Sequence, residues 1–497
     1  MFFKFQRIAT SYKGIFFRIL AIQPASIVCG TVILAMFLLP IRLLAGGSKA
    51  SVQAFTLPQA VQYATDHYPE VRVAIERETE ARARVSVARS SYLPHADIML
   101  QLNRATRNNV AGVLLPQSTI PNPSGPVLDS SMQSFWGSGA GAQAYWEPFD
   151  FGYRHAVVQS AQATLQRTRA QTKLTLLDIQ TAAADAVLSV VAAEQQVNAM
   201  QADVERRSVL ARSVHALVDA QLRPGADDSH AKAELAAAQT GLILAEENVA
   251  VAKANLAQLL GIAGTEVEVI PGPLLRLPKD FSTPDTLPAT HPQAIAEQAR
   301  VLEAQARIHI LNTSYVPTFK LEGVGYGRGS GAMGNGKASS DSTQGLLPDT
   351  PNWAAGVAMK FALFDFASLH YQKKIARARQ RETEASYALT LQQLLGQSAK
   401  AKAILDGAER AAQNTPLELQ ASQDAEQQAS ARFKAGLATV VDVAEAQRLL
   451  VGAEIDDSLA RLSIWRALER LSSAQGDLKP FIDLVNQADT MQATGGN

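Results

Sequence analysis

Apolar and polar residues alternate at every second position in two stretches of this chain. Ile98, Leu100 and Leu102 alternate with Asp97, Gln101 and Asn103, and Phe319, Leu321, Gly323 and Gly325 alternate with Lys320, Glu322, Val324 and Tyr326. A period of two predicts strands with one polar face. Each stretch is followed by a Gly-, Pro-, Ser- and Asn-rich loop, roughly residues 104–136 and 328–352, and then by a returning strand, Ala140 to Phe149 and Ala354 to Phe364. The chain thus holds two long-looped β-hairpins, about residues 95–150 and 318–365. Strands of about ten residues with Tyr145, Trp146 and Trp353 near their ends have the length and aromatic placement of a membrane barrel; a soluble hairpin is the other reading. Four strands do not close a barrel, because the smallest bacterial ones use about eight, and an open edge in lipid leaves backbone groups unsatisfied. Membrane-spanning hairpins of this kind have to be shared between chains.

Elsewhere the period lengthens. Residues 154–222 and 367–434 read as helix, with Pro416 the one interior proline, and at about 1.5 Å per residue each run reaches roughly 100 Å. Leu235, Leu242, Val249 and Leu256 recur every seven residues, interleaved with Ala238, Ala245, Ala252 and Leu259. Val443, Leu450, Ile464 and Leu471 do the same with Ala446, Ala453, Ala460, Ala467 and Ala474, broken at Asp457. These are coiled-coil seams whose alanines permit close approach. Gly225 and Gly436 are expected to mark the reversals where each long helix meets its partner.

The two halves repeat one order of features. Tyr92-Leu-Pro94 returns as Tyr315-Val-Pro317, and Phe149-Asp-Phe151 returns as Phe364-Asp-Phe366. The offsets are 223 for Pro94 to Pro317, 215 for Phe149 to Phe364 and 211 for Gly225 to Gly436, a drift small enough to mean duplicated architecture with loop edits. The expected organisation is a leader at 1–54, a first repeat at 55–280, a second at 281–478 and a tail at 479–497.

Composition narrows the picture. The 46 basic and 46 acidic residues cancel, so there is no nucleic-acid footprint. Hydrophobic residues reach 47% with aromatics at only 6%, the Ala-, Leu- and Val-rich usage of long packed helices. The single cysteine, Cys29, lies in an N-terminal region where Lys4, Arg7, Lys13 and Arg18 precede the apolar run Ile27 to Leu39 and small residues follow. That is the pattern of a cleaved export signal, and Pro40 and Arg42 end the run too soon for a good spanning helix. Ser26-Ile27-Val28 lacks the small residue expected before a lipidated cysteine.

The chain closely resembles the TolC-like outer-membrane efflux proteins over residues 55 to 478. The marks are Leu57-x-x-Ala60 with Tyr68-Pro69-Glu-Val, the two Tyr-x-Pro stops, the two Phe-Asp-Phe strand ends, and Arg432-Phe-Lys-Ala-Gly436-Leu-Ala-Thr439-Val-Val-Asp442-Val. The resemblance implies a mainly α fold with a small β part. Three chains would share a twelve-stranded outer-membrane barrel, continued as an α-helical tunnel across the periplasm. It implies an exit duct that passively conducts cargo delivered by an inner-membrane transporter and a periplasmic adaptor. The hairpin turns would form the tip that meets the adaptor, at Gly225 in the first half and at Arg432, Gly436, Leu437 and Thr439 in the second. Asp442 and Glu445 would ring a closed aperture. One departure stands out: Ala231, six positions beyond Gly225, replaces the expected acid, and Pro224 precedes that glycine.

Catalytic chemistry is not legible. The eight histidines, His67, His95, His155, His215, His230, His291, His309 and His370, are scattered without metal-ligand spacing and read as surface residues. Gly331 to Ala338 comes within one residue of a phosphate-binding loop, but Ala338 replaces the Ser or Thr and no helix follows. No cofactor and no metal is expected. The alternative class is a non-pore periplasmic coiled-coil scaffold or adaptor; it has no use for two hairpins with one apolar face each.

Overall fold

The computed structural model describes residues 53–106, 133–278, 287–331, 333, 339–361 and 363–494. Nearly all of the expected leader, the tip of the first hairpin loop and most of the phosphate-loop-like segment lie outside these residues.

The helices are α1 (Leu57–His67), α2 (Pro69–Ser90), α3 (Tyr153–Asp219), α4 (Gly225–Leu259), α5 (Pro292–Thr313), α6 (Phe366–Lys434), α7 (Val440–Ala474) and α8 (Lys479–Thr494). The strands are β1 (Gln53–Phe55), β2 (His95–Thr106), β3 (Ser134–Phe149), β4 (Val267–Val269), β5 (Thr318–Ser330) and β6 (Thr350–Lys360). The fold is mainly helical with a small sheet part, and α8 forms within the expected tail.

Strands β2, β3, β5 and β6 form one antiparallel sheet in that order. Opposite residues share a face, so the register puts Ile98 beside Ala142 and Leu100 beside Ala140, and carries the same face through Gly325 to Trp353 and through Leu321 to Val357. This face is apolar and bare: Ile98 is 82% exposed and Trp353 83%. The other face carries His95, Asp97, Gln101, Gln143, Tyr145, Lys320, Glu322 and Asn352. A bulge between Trp146 and Phe149 keeps Phe149 opposite Phe319, so the apolar face continues to the helical end.

Each strand runs into a helix, and the helices keep the strand order: α2, α3, α5 and α6 pack side by side below β2, β3, β5 and β6. The junctions use the repeated motifs. The Trp146 indole donates to the Tyr92 carbonyl at 3.0 Å. Arg154, buried, donates to Asp150 at 2.8 Å and to the Ser91 carbonyl at 3.0 Å, and lies over the Tyr92 ring. In the second half Tyr315 stacks on Phe366 instead.

The main core lies at the waist. There Leu57, Ala60, Val61 and Ala64 of α1 meet Leu177 to Val191 of α3 and Ala460 to Leu471 of α7. The short parallel pair β1–β4 and α8 cover it, with Trp465 packed on Phe481 and donating to the Arg276 carbonyl at 2.8 Å. His291 is buried here, against the expectation that every histidine is a surface residue. It caps α5 by accepting from the Gln293 amide through Nδ1, while Nε2 donates to the Ser473 carbonyl. Burial lowers its pKa and keeps it neutral. Below the waist the order becomes α4, α3, α7, α6. Asp457, the break in the α7 seam, is buried and bonded to Thr415 and Arg461.

Candidate functional site

At the end remote from the sheet, α3 reverses into α4 and α6 into α7. The two reversals make the same hydrogen bonds. Leu437 N donates to Arg432 O, Gly436 N to Phe433 O and Ala435 N to Ala431 O; Leu222 N donates to Leu217 O, Gln221 N to Val218 O and Ala220 N to Ala216 O. This six-to-one bond around a left-handed residue is a Schellman cap, and the left-handed residues are Gly436 at φ 74° and Gln221 at φ 57°.

Gln221, not Gly225, is therefore the partner of Gly436, and the offset at the tips is 215, the same as at the Phe-Asp-Phe motifs. Gly225 is the first residue of α4, behind Pro224 as N-cap. With this register the position matching Asp442 is Asp227, and the apparent loss of an acid at Ala231 disappears. Ala231 is a core residue, packed with Ala211, Val214, Phe433, Val440 and Val443 between the two hairpins. A carboxylate there would be desolvated.

The second tip fixes its own acids. Thr439 caps α7: its hydroxyl accepts from the Asp442 amide at 3.2 Å, while the Asp442 carboxylate accepts from the Thr439 amide at 2.7 Å and hydroxyl at 2.8 Å. Those two bonds, helped by Arg432, hold the Asp442 carboxyl below its ordinary value. Glu445 is forked by Arg448 at 2.6 and 2.9 Å, which lowers its pKa as well. Both carboxylates are exposed, and both are ionised at neutral pH. Leu437 is exposed at the turn.

Arg223 is a tip residue that sequence reasoning missed. It donates to the Ala438 carbonyl at 3.2 Å and lies over the Phe433 ring at 4.9 Å, so it staples the first tip to the second. No local signal marks it, because both partners lie more than 200 residues away. Higher up, Arg207 is buried between Asp203 and Glu234 while Arg206 grips Glu454 with bonds of 3.0 and 2.8 Å, tying α3 to α4 and α7. Among the described residues no group of three or more His, Cys, Asp or Glu could hold a metal ion.

The sequence pattern of the outer membrane efflux protein family matches residues 60–262 and 284–477. The chain belongs to the outer membrane efflux protein family. The first matched stretch runs from α1 past the end of α4, and the second from ahead of α5 to just past α7. Curated relatives include the pyoverdine export outer membrane protein OpmQ of Pseudomonas putida, 25% identical over 429 residues, covering 84% of this chain and 85% of the relative. OpmQ of Pseudomonas aeruginosa is 24% identical over 451 residues, covering 87% and 89%. Among solved structures, the outer membrane protein VceC of Vibrio cholerae superposes with a TM-score of 0.66 at 20% identity, covering 85% of this chain and 96% of that one. The CmeC outer membrane channel of Campylobacter jejuni superposes with a TM-score of 0.69 at 16% identity, covering 88% and 90%. The efflux-family chain is thus a channel component of the bacterial outer membrane with a periplasmic part, and not an enzyme. The scaffold reading falls with that membership.

Proposed function

We propose that three copies of this chain join their sheets edge to edge into a twelve-stranded barrel in the outer membrane, with the helices closing into a periplasmic tunnel. The observation that carries this reading is the four-stranded sheet. One face is apolar and bare, the other polar, and the outer edges of β2 and β6 have no strand beside them among the described residues. In lipid an unpaired edge costs several kcal/mol per group, and closing with copies of itself removes the cost. Cargo arrives from an inner-membrane transporter through a periplasmic adaptor that meets the tip around Gly225, Arg432, Gly436, Leu437 and Thr439. No step along the duct needs bond chemistry.

Asp442 and Glu445 form the constriction. Six carboxylates in a ring favour cations, but Arg448 compensates each Glu445, so Asp442 carries the larger share. Purified protein in planar bilayers should form trimeric, cation-selective channels. Asp442→Asn should reduce the selectivity more than Glu445→Gln does, and the double variant more than either. Unchanged selectivity in the double variant removes the aperture role; a water-soluble single chain removes the channel reading itself.

A further inference from the structure

The duplication allows the missing neighbour to be written down residue by residue. Inside the chain the two repeats meet along α3 and α5, where Glu303 accepts from the Thr164 hydroxyl at 2.7 Å and pairs with Arg167 at 2.7 Å. Two turns lower, Ala170 packs on Ala296 and Ala299. The two helices that flank the upper layer, α2 and α6, are the repeat counterparts of α5 and α3. Helix α2 spans Pro69–Ser90 and α5 spans Pro292–Thr313, both 22 residues, an offset of 223 at each end. The offset from α3 to α6 is 215, set by the Phe-Asp-Phe motifs above and by the matched caps below.

Applying these offsets to the inner seam moves Glu303 onto Glu80, Thr164 onto Arg379 and Arg167 onto Glu382. The acid is kept and the guanidinium moves one turn along its helix. Seven residues, two turns, either way from the Glu80–Glu382 level bring Val87 opposite Ile375 and Val73 opposite Leu389, and the translated Ala170 contact adds Ala385 beside Val73. In the single chain these are bare hydrophobics, 70%, 56%, 47% and 58% exposed respectively. The translation brings all four of these residues to the seam. Arg379 has no ion-pair partner among the described residues, and Glu80 has only the exposed Arg84 on its own helix, at 2.6 Å. An exposed pair of that kind contributes little.

We propose that the seam between neighbouring protomers copies the seam inside each one, with Glu80 of one copy held by Arg379 of the next, between the contacts Val87–Ile375 and Val73–Leu389. The inference rests on the ring reading above and adds its register. A head-to-tail contact with this geometry closes into a ring without two-fold symmetry. At this level Glu80 faces Arg379 and Glu382 together, and a slip of one turn leaves Glu382 alone.

The test uses the full chain with Cys29→Ser. Val87→Cys with Ile375→Cys should give covalent trimers on oxidation, and either cysteine alone should not. Glu80→Arg should lose trimer on native gels, and Glu80→Arg with Arg379→Glu should regain it. A trimeric parent that shows no cross-link, or a double charge variant no better than Glu80→Arg, overturns the seam while leaving the ring intact. A parent that is not trimeric overturns both.

Discussion

Glu469 has 1% of its surface exposed, with Oε1 unpartnered, on the face of α7 that packs against α3. Burial, with the Asp185 charge adding to it and Arg466 and Arg470 opposing, pushes its pKa up to about 7. A carboxyl raised in the folded state favours the protonated form, so the folded chain binds a proton that the unfolded chain has released. Stability should therefore fall as pH rises from about 4.5 to about 7, by roughly 2–3 kcal/mol if the site stays dry. Glu469→Gln should flatten that slope and raise the melting temperature above pH 7, read by thermal unfolding across the range; an unchanged slope would put the titration elsewhere. None of this is legible in the sequence. The same holds for His291, Arg223 and Asp457, whose roles come from groups 182, 215 and 42 residues away. Asp442 and Glu445 are legible in the sequence as the aperture acids that the resemblance implies; the capping box and the Arg448 fork emerge from the backbone path.

At the scale of elements the periodicities did most of the work. The period-two stretches are the sheet strands, the seven-residue repeats are the α4 and α7 seams, and Pro416 does not break α6. The glycine at 225 does not mark the first reversal: the conformation of Gly436 is repeated at Gln221. A left-handed cap needs a backbone shape, and glycine is only its commonest occupant. Gln221 occupies that shape with a Cβ, so Gln221→Gly should stabilise the first tip by about 0.5–1 kcal/mol and Gly436→Ala should cost the second about 1 kcal/mol. Hydrogen exchange at the amides of Leu222 and Leu437 should move in opposite directions in the two variants. Equal responses would mean that the caps differ despite their shared bonds.

For the whole molecule, the order of strands and the order of helices are one order, because each strand continues into the helix beneath it. That continuity was implicit in the duplication. The waist was not: β1, β4 and α8 are short and come from distant parts of the chain, so no local pattern announces them. The edges of β2 and β6, which have no strand beside them among the described residues, carry a genetic corollary. In the proposed three-copy ring, a subunit whose β6 edge is spoiled, for example by Val357→Pro, would still offer a sound β2 edge and be taken up by healthy copies, yet no cylinder containing it would seal. With equal expression of the two alleles only about one assembly in eight escapes, as follows from three independent draws under head-to-tail closure. Co-expression should thus depress export far below half, a poisoning that a monomeric pore would never show.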